Sequence, residues 1–202
     1  MVNIAVLVSG GGTNLQALID AEKRGEIKNG HITLVVSNKA GVFALKRAED
    51  AGIKTEVILP KDFATKDSYC DNLADILKQN DIGLVVLAGF LVVLTSKFVS
   101  LFHNSIINVH PSLIPSFCGD GYYGLRVHKA ALERGVKVTG ATVHFVNEIT
   151  DGGSIILQKA VNVFDGDTPE TLQRRVMEEA EWQLLPAAVS MFCDGKLNVE
   201  DK

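Results

Sequence analysis

The first fourteen residues constrain the fold most. Val2 to Val8 is a near-continuous apolar run that empties into Ser9-Gly10-Gly11-Gly12-Thr13-Asn14, after which Leu15, Leu18 and Ile19 recur at helical spacing. An apolar run without polar alternation reads as a strand covered on both faces, the position strands hold in a parallel sheet flanked by helices. A glycine turn between such a strand and a helix aims backbone N–H groups and the positive helix end at one point, and glycines let an anion approach closely. Phosphate is the natural guest; a tight turn with no ligand is the plainer alternative. No Gly-Lys-Ser/Thr follows, so the loop is not a Walker A loop. Leu15 stands where the last glycine of G-x-G-x-x-G would be, so it is not a dinucleotide loop either.

Beyond this unit the first half keeps alternating. Helices are predicted over Thr13–Arg24, Val42–Ala51 and Lys66–Gln79, and strands over Ile32–Val36, Thr55–Leu59, Ile82–Ala88 and Ser105–Val109. Strands alternating with helices imply βαβ units, right-handed crossovers and a mostly parallel sheet. The second half changes character. Pro115 to Arg126 reads as a loop and His128–Arg134 as a short helix. Thr139–Val146 and Ser154–Val163 read as strands joined by the ITDGGS turn, an antiparallel pair. Thr168–Met191 reads as one long amphipathic helix, with Thr168 as its cap and Glu170 in its first turn. The expectation is one α/β domain over residues 1–202, with a βαβ half at 1–100 and a catalytic half at 101–202.

Of the 202 residues, 47% are hydrophobic and 22% charged, enough to build a core and too ordered a mixture for a disordered chain. The net charge of −4 lacks the basic footprint of a nucleic-acid binder. Cys70, Cys118 and Cys193 are far apart and odd in number, which points to free thiols in a reducing compartment, not a disulfide framework or a zinc site. The apolar start is short and has no basic leader or cleavage site, and no run is long enough to span a membrane. A cytoplasmic setting is expected.

Candidate chemistry centres on Ile107-Asn108-Val109-His110-Pro111. Asn108 and His110, two apart on a strand, project to one face at the carboxyl end, where open α/β sheets bind ligands. An amide can donate to a developing oxyanion and an imidazole can move a proton, a pairing suited to acyl transfer. A capping Asn and a hydrogen-bonded core His are the alternative. Asp151, in Thr150-Asp151-Gly152-Gly153, is either an ordinary turn residue or a carboxylate that raises the pKa of a nearby imidazole. His144 alternates into the TVHFV strand and reads as a structural or supporting residue, and His103 and His128 read as surface residues. No cluster of metal ligands is visible, and no metal is expected.

Five segments carry a resemblance: VLVSGGGTNLQALID at 6–20, VVLAGFLVVLT at 85–95, INVHPSLIPSF at 107–117, TGATVHFVNEITDGGSIILQ at 139–158 and EWQLLP at 181–186. On these the chain resembles the phosphoribosylglycinamide formyltransferase family, a branch of the folate-dependent formyltransferases, over nearly its whole length. The resemblance implies a Rossmann-like formyltransferase fold, with a mostly parallel sheet flanked by helices and an antiparallel C-terminal portion. It implies transfer of a formyl group from 10-formyltetrahydrofolate, as co-substrate, to the amine of glycinamide ribonucleotide in purine biosynthesis, by a monomer or homodimer. Asn108, His110 and Asp151 match the family's catalytic trio. Gly12, Thr13 and Asn14 match its phosphate loop, and Glu181 the acid that holds the acceptor's ribose. Leu91, Val92, Val93 and Leu94 match the pterin-binding segment, where Asn108 also contributes. Lys66 falls near the folate tail, where many members carry Arg. Three features depart from the family form. Val92 replaces an expected Arg, the 116–124 loop is longer, and the spacing from Val176 to Glu181 has one extra residue.

Overall fold

The computed structural model describes residues 1–197. Seven strands form a single sheet in the order β3-β2-β1-β4-β5-β6-β7. They are β1 (Val2–Val8), β2 (Gly30–Ser37), β3 (Lys54–Val57), β4 (Leu84–Leu87), β5 (Ile106–His110), β6 (Val138–Phe145) and β7 (Ile155–Asn162). The first five run parallel, and β6 and β7 close the sheet as an antiparallel pair.

The apolar run of β1 is central because both of its faces are needed. Ile4, Val6 and Val8 pack into one core layer and Ala5 and Leu7 into the other. The first layer is covered by α1 (Thr13–Lys23), α2 (Phe43–Asp50), α5 (Leu125–Arg134), α6 (Pro169–Val176) and α7 (Trp182–Cys193). The second is covered by α3 (Lys66–Gln79) and α4 (Ser96–Leu101). Chain order runs outward from β1 through β2 to β3, then returns on the opposite face to β4. The strand order therefore reverses between β1 and β4, and such a switch opens a crevice outside the carboxyl ends of the strands. The Ser9 hydroxyl accepts a hydrogen bond from the Leu91 N–H at 2.9 Å, tying together the loops that leave these two strands.

Most predicted elements stand within two or three residues of their expected ends, and three differ for local reasons. Helix α4 has six residues, too short to show a period of its own, and it is started by the Thr95 hydroxyl accepting from the Phe98 N–H. Helix α5 begins at Leu125, three residues before its expected start, at the end of a glycine- and tyrosine-rich loop. The long C-terminal helix is interrupted by a π turn at Met177–Glu181, between α6 and α7. A π turn accommodates one residue more than an α turn. Pro186 adds to the distortion, since it offers no N–H to the Trp182 carbonyl. Gln183 Nε2 donates to the Glu178 carbonyl at 3.2 Å within the widened turn.

Candidate active site

The glycine loop is shaped by α2 as much as by its own sequence. Gly12 has φ 73°, a left-handed conformation that favours glycine, and a Cβ there would stand 2.6 Å from that of Ala44. The Ala44 N–H donates to the Gly10 carbonyl. Arg47, one turn further along α2, donates from Nε to the Gly11 carbonyl and from Nη1 to Gln16 Oε1, each at 2.9 Å. Its guanidinium lies over the Phe43 ring. Thr13 opens α1, and Thr13, Gln16, Arg47 and Trp182 line a cavity of about 280 Å³ along that helix.

Asn14 is buried and meets Glu181 across 167 residues of sequence, its Nδ2 donating to Oε2 at 2.6 Å. Glu181 closes the π turn, and its carboxyl reaches Asn14. Complete burial pushes the Glu181 pKa up to about 7, with the Asn14 amide offsetting only part of that effect. A carboxyl that is half neutral at physiological pH can donate as well as accept.

On the far side of the switch point, a cavity of about 440 Å³ is lined by Leu91, Val92, Val93, Leu94, Asn108, His110, His144 and Asp151, among others. Leu91 and Val93 are exposed at its mouth. Tyr122 and Tyr123 reach it from the long loop. Lys66, at the start of α3, is exposed and outside this lining.

Asn108 and His110 lie on one face of β5, and the structure brings Asp151 to them. His110 Nδ1 is 3.5 Å from Asp151 Oδ2, while His110 Nε2 donates to the Phe117 carbonyl at 2.9 Å. Both contacts call for a proton, so the setting is built for an imidazolium that burial opposes. Burial reverses the net direction, while Asp151 pushes the His110 pKa up, as expected of a neighbouring carboxylate. Burial lowers the His110 pKa, and Asp151 and the Phe117 carbonyl win back only part. Asp151 is held below the usual carboxylate range. Burial alone would raise it, and the His110 imidazole and the Gly119 N–H, 2.8 Å from Oδ2, are among the groups that outweigh that. The Asp-Gly-Gly turn is required at this point. Asp151 has φ 55°, and a Cβ on Gly153 would stand 1.8 Å from the Phe145 carbonyl oxygen. The segment after His110 is pinned to β6 by Thr142, whose hydroxyl donates to the Ser112 carbonyl at 2.7 Å and accepts from the Ile114 N–H.

His144 stands directly opposite Asn108 in the β5–β6 register, where cross-strand side chains meet. Its Nε2 is 3.1 Å from Asn108 Nδ2 and 3.6 Å from Asp151 Oδ1. A register shift between Val143 and His144 marks a bulge against β7 at this residue. Bulges re-aim side chains, and nothing in a single sequence marks this one. His128 was expected at the surface. Instead it is fully buried on α5, with neither ring nitrogen hydrogen-bonded and its pKa lowered to about 4 by burial and by His110. His103 is exposed, as expected.

The formyl transferase family model matches residues 2–189. The phosphoribosylglycinamide formyltransferase of Haemophilus influenzae is 42% identical over 201 residues, covering 100% of this chain and 92% of that protein. The trifunctional purine biosynthetic protein adenosine-3 of Gallus gallus is 46% identical over 198 residues, of which this chain spans 19% of the length. Among solved structures, glycinamide ribonucleotide transformylase 1 from Symbiobacterium toebii superposes with a TM-score of 0.93 at 41% identity, covering 99% of this chain and 91% of that one. With a seven-stranded sheet, a glycine loop and an Asn-His-Asp cluster of the kind described, and with a family match over almost its whole length, this chain belongs to the formyl transferase family.

Proposed function

We propose that the chain transfers the formyl group of 10-formyltetrahydrofolate to the amine of glycinamide ribonucleotide, in a cytoplasmic setting. The observation that carries this reading is the Asn108–His110–Asp151 cluster lining one cavity at the sheet switch, with the glycine loop tied to that cavity's rim through Ser9 and Leu91.

In this reading Gly12, Thr13 and Asn14 hold the acceptor's phosphate at the positive end of α1, and Glu181 holds its ribose. Leu91 to Leu94, with Asn108, hold the pterin. The neutral acceptor amine attacks the formyl carbon, and Asn108 donates to the oxygen that becomes negative. His110 carries the proton that the amine gives up while the intermediate stands, its charge beside that oxygen, with Asp151 stabilising the imidazolium. As the intermediate collapses, the new carbon–nitrogen bond to the acceptor stays. The bond to N10 of the folate breaks, and N10 takes the proton that the amine gives up. Holding both substrates in one crevice makes the attack effectively intramolecular.

The test is a formyl-transfer assay on purified protein with and without the acceptor. Acceptor-dependent release of tetrahydrofolate is expected. Turnover without the acceptor would replace transfer by hydrolysis, and the absence of turnover would remove the reading.

A further inference from the structure

We infer that His144 is a positioning residue that sets the orientation of the Asn108 amide, so that one N–H of Asn108 is held for the formyl oxygen. This rests on the proposed role of Asn108 as the oxyanion donor. His144 has one tautomer in this setting. Its Nδ1 lies 2.7 Å from the Phe145 carbonyl oxygen, which can only accept, so Nδ1 carries the ring proton. Nε2 then presents a lone pair, and the group 3.1 Å away is Asn108 Nδ2, which donates to it.

An amide has two ends of similar shape and opposite hydrogen-bonding character. Turning Asn108 over would set Oδ1 against the Nε2 lone pair, so the bare imidazole nitrogen permits only one orientation. One N–H is committed to His144, and the second N–H on the same nitrogen is left for the cavity that Asn108 lines. The imidazole cannot turn to escape this role. It is almost fully buried, Nδ1 is anchored on backbone, and that carbonyl is closely covered by Gly153.

The titratable groups facing His144 are Asp151, from the turn before β7, and His110, from β5. One carboxylate thus faces two imidazoles, and the bare Nε2 of His144 is the acceptor that fixes the Asn108 donor.

The experiment is a double-mutant cycle on the full chain. His144→Leu is expected to lower kcat by about ten- to a hundredfold, within the range for loss of an oxyanion donor, with both KM values changed by less than about threefold. His144→Gln, which returns an acceptor oxygen near the Nε2 position, is expected to recover most of that loss. In an Asn108→Ala background, His144→Leu should cost less than about twofold more. Independent losses in the double variant, a Gln variant no better than Leu, or a Leu variant with wild-type kcat would each overturn the inference. Long-range ¹H–¹⁵N NMR of the imidazoles decides the contact even if the Leu variant does not fold. His144 should show the Nδ1–H tautomer, with an Nε2 shift that changes in Asn108→Ala, and an Nε2–H tautomer would refute the assignment. If the wild-type protein shows no acceptor-dependent turnover, the functional reading fails, while the NMR result still stands for or against the contact.

Discussion

At the residue scale, His110 carries opposing demands. Two acceptors face its two nitrogens, yet burial keeps its pKa below the ordinary value. Asp151 is the charge that works against burial, so removing it should lower the His110 pKa further. Asp151→Asn is a mild change for the backbone, because asparagine tolerates the left-handed conformation at φ 55°. The expected result is a kcat reduced by about a hundredfold or more, the scale of general acid–base catalysis, with a modest fall in the melting temperature as the carboxylate's stabilising contacts are lost. The acid limb of the kcat/KM profile should move to lower pH, since the imidazole then loses its proton more readily. A pH–rate series on the two proteins checks both statements. An unshifted acid limb would mean that Asp151 does not act through His110.

At the scale of elements, the glycine loop depends on α2. Replacing Arg47 by Ala removes the bond to the Gly11 carbonyl and a positive charge that is outside every ion pair seen among the described residues. The KM for the phosphorylated acceptor should rise by about tenfold, on the scale of one lost charge-assisted hydrogen bond, while the KM for the folate holds. Arg47→Lys should recover only part, because an ammonium lacks the fork that reaches Gly11 and Gln16 together. Steady-state kinetics with each substrate varied decides it. Gly12→Ala should destabilise for two separable reasons. The left-handed backbone costs about 1–2 kcal/mol for a residue with a Cβ, and the clash with Ala44 adds about 1–3 kcal/mol of overpacking. Adding Ala44→Gly should return only part of the packing share, because the Ala44 Cα would still stand 2.8 Å from the new Cβ, and should leave the backbone share, as denaturant titration of the three variants would show. The β1–loop–α1 unit was legible because an unbroken apolar run and consecutive glycines leave few alternatives. Helix α3 was legible because Leu73, Ile76 and Leu77 recur at helical spacing. The π turn, the bulge at His144 and the burial of His128 were not legible. Each is a departure from periodicity settled by tertiary packing, and the meeting of Asp151 with His110 depends on strand register, which residue types alone do not specify.

At the scale of the whole molecule, the buried ionisable groups set how stability varies with pH, and they pull in opposite directions. The Glu181 pKa is about 7 in the folded chain against an ordinary 4.5, so between those values the folded state holds more protons than the unfolded state. Stability from this group is full below pH 4.5 and is lost as the pH rises through about 7. His128 has the reverse sign. Its folded pKa of about 4 lies below the ordinary 6.5, so its contribution is full above pH 6.5 and is lost as the pH falls toward 4. His110, lowered by burial, adds to the His128 side. Each large displacement is on the order of a few kcal/mol, so the two sides nearly offset between pH 7 and 5, and the melting temperature should be almost level there. Below that window Asp151 and Asp167 are both depressed, the latter chiefly by its two-point contact with Arg175, and their protonation should bring a steep acid loss. Glu181→Gln separates the two sides. The neutral amide can still accept from Asn14 Nδ2, and it offers an N–H to Asn14 Oδ1, which has no partner. The variant should melt well above the wild type at pH 8, and the gap should close toward pH 4.5, where the wild-type carboxyl is already neutral. Its own curve should slope downward from pH 7 to 5 as the histidine contribution is unmasked. A gap that stays constant across pH 4.5–8 would show that Glu181 is not the group that opposes the histidines. If Glu181 also holds the acceptor's ribose, the stabilised variant should show a raised acceptor KM, because the carboxyl that burdens the fold is the one that binds the substrate.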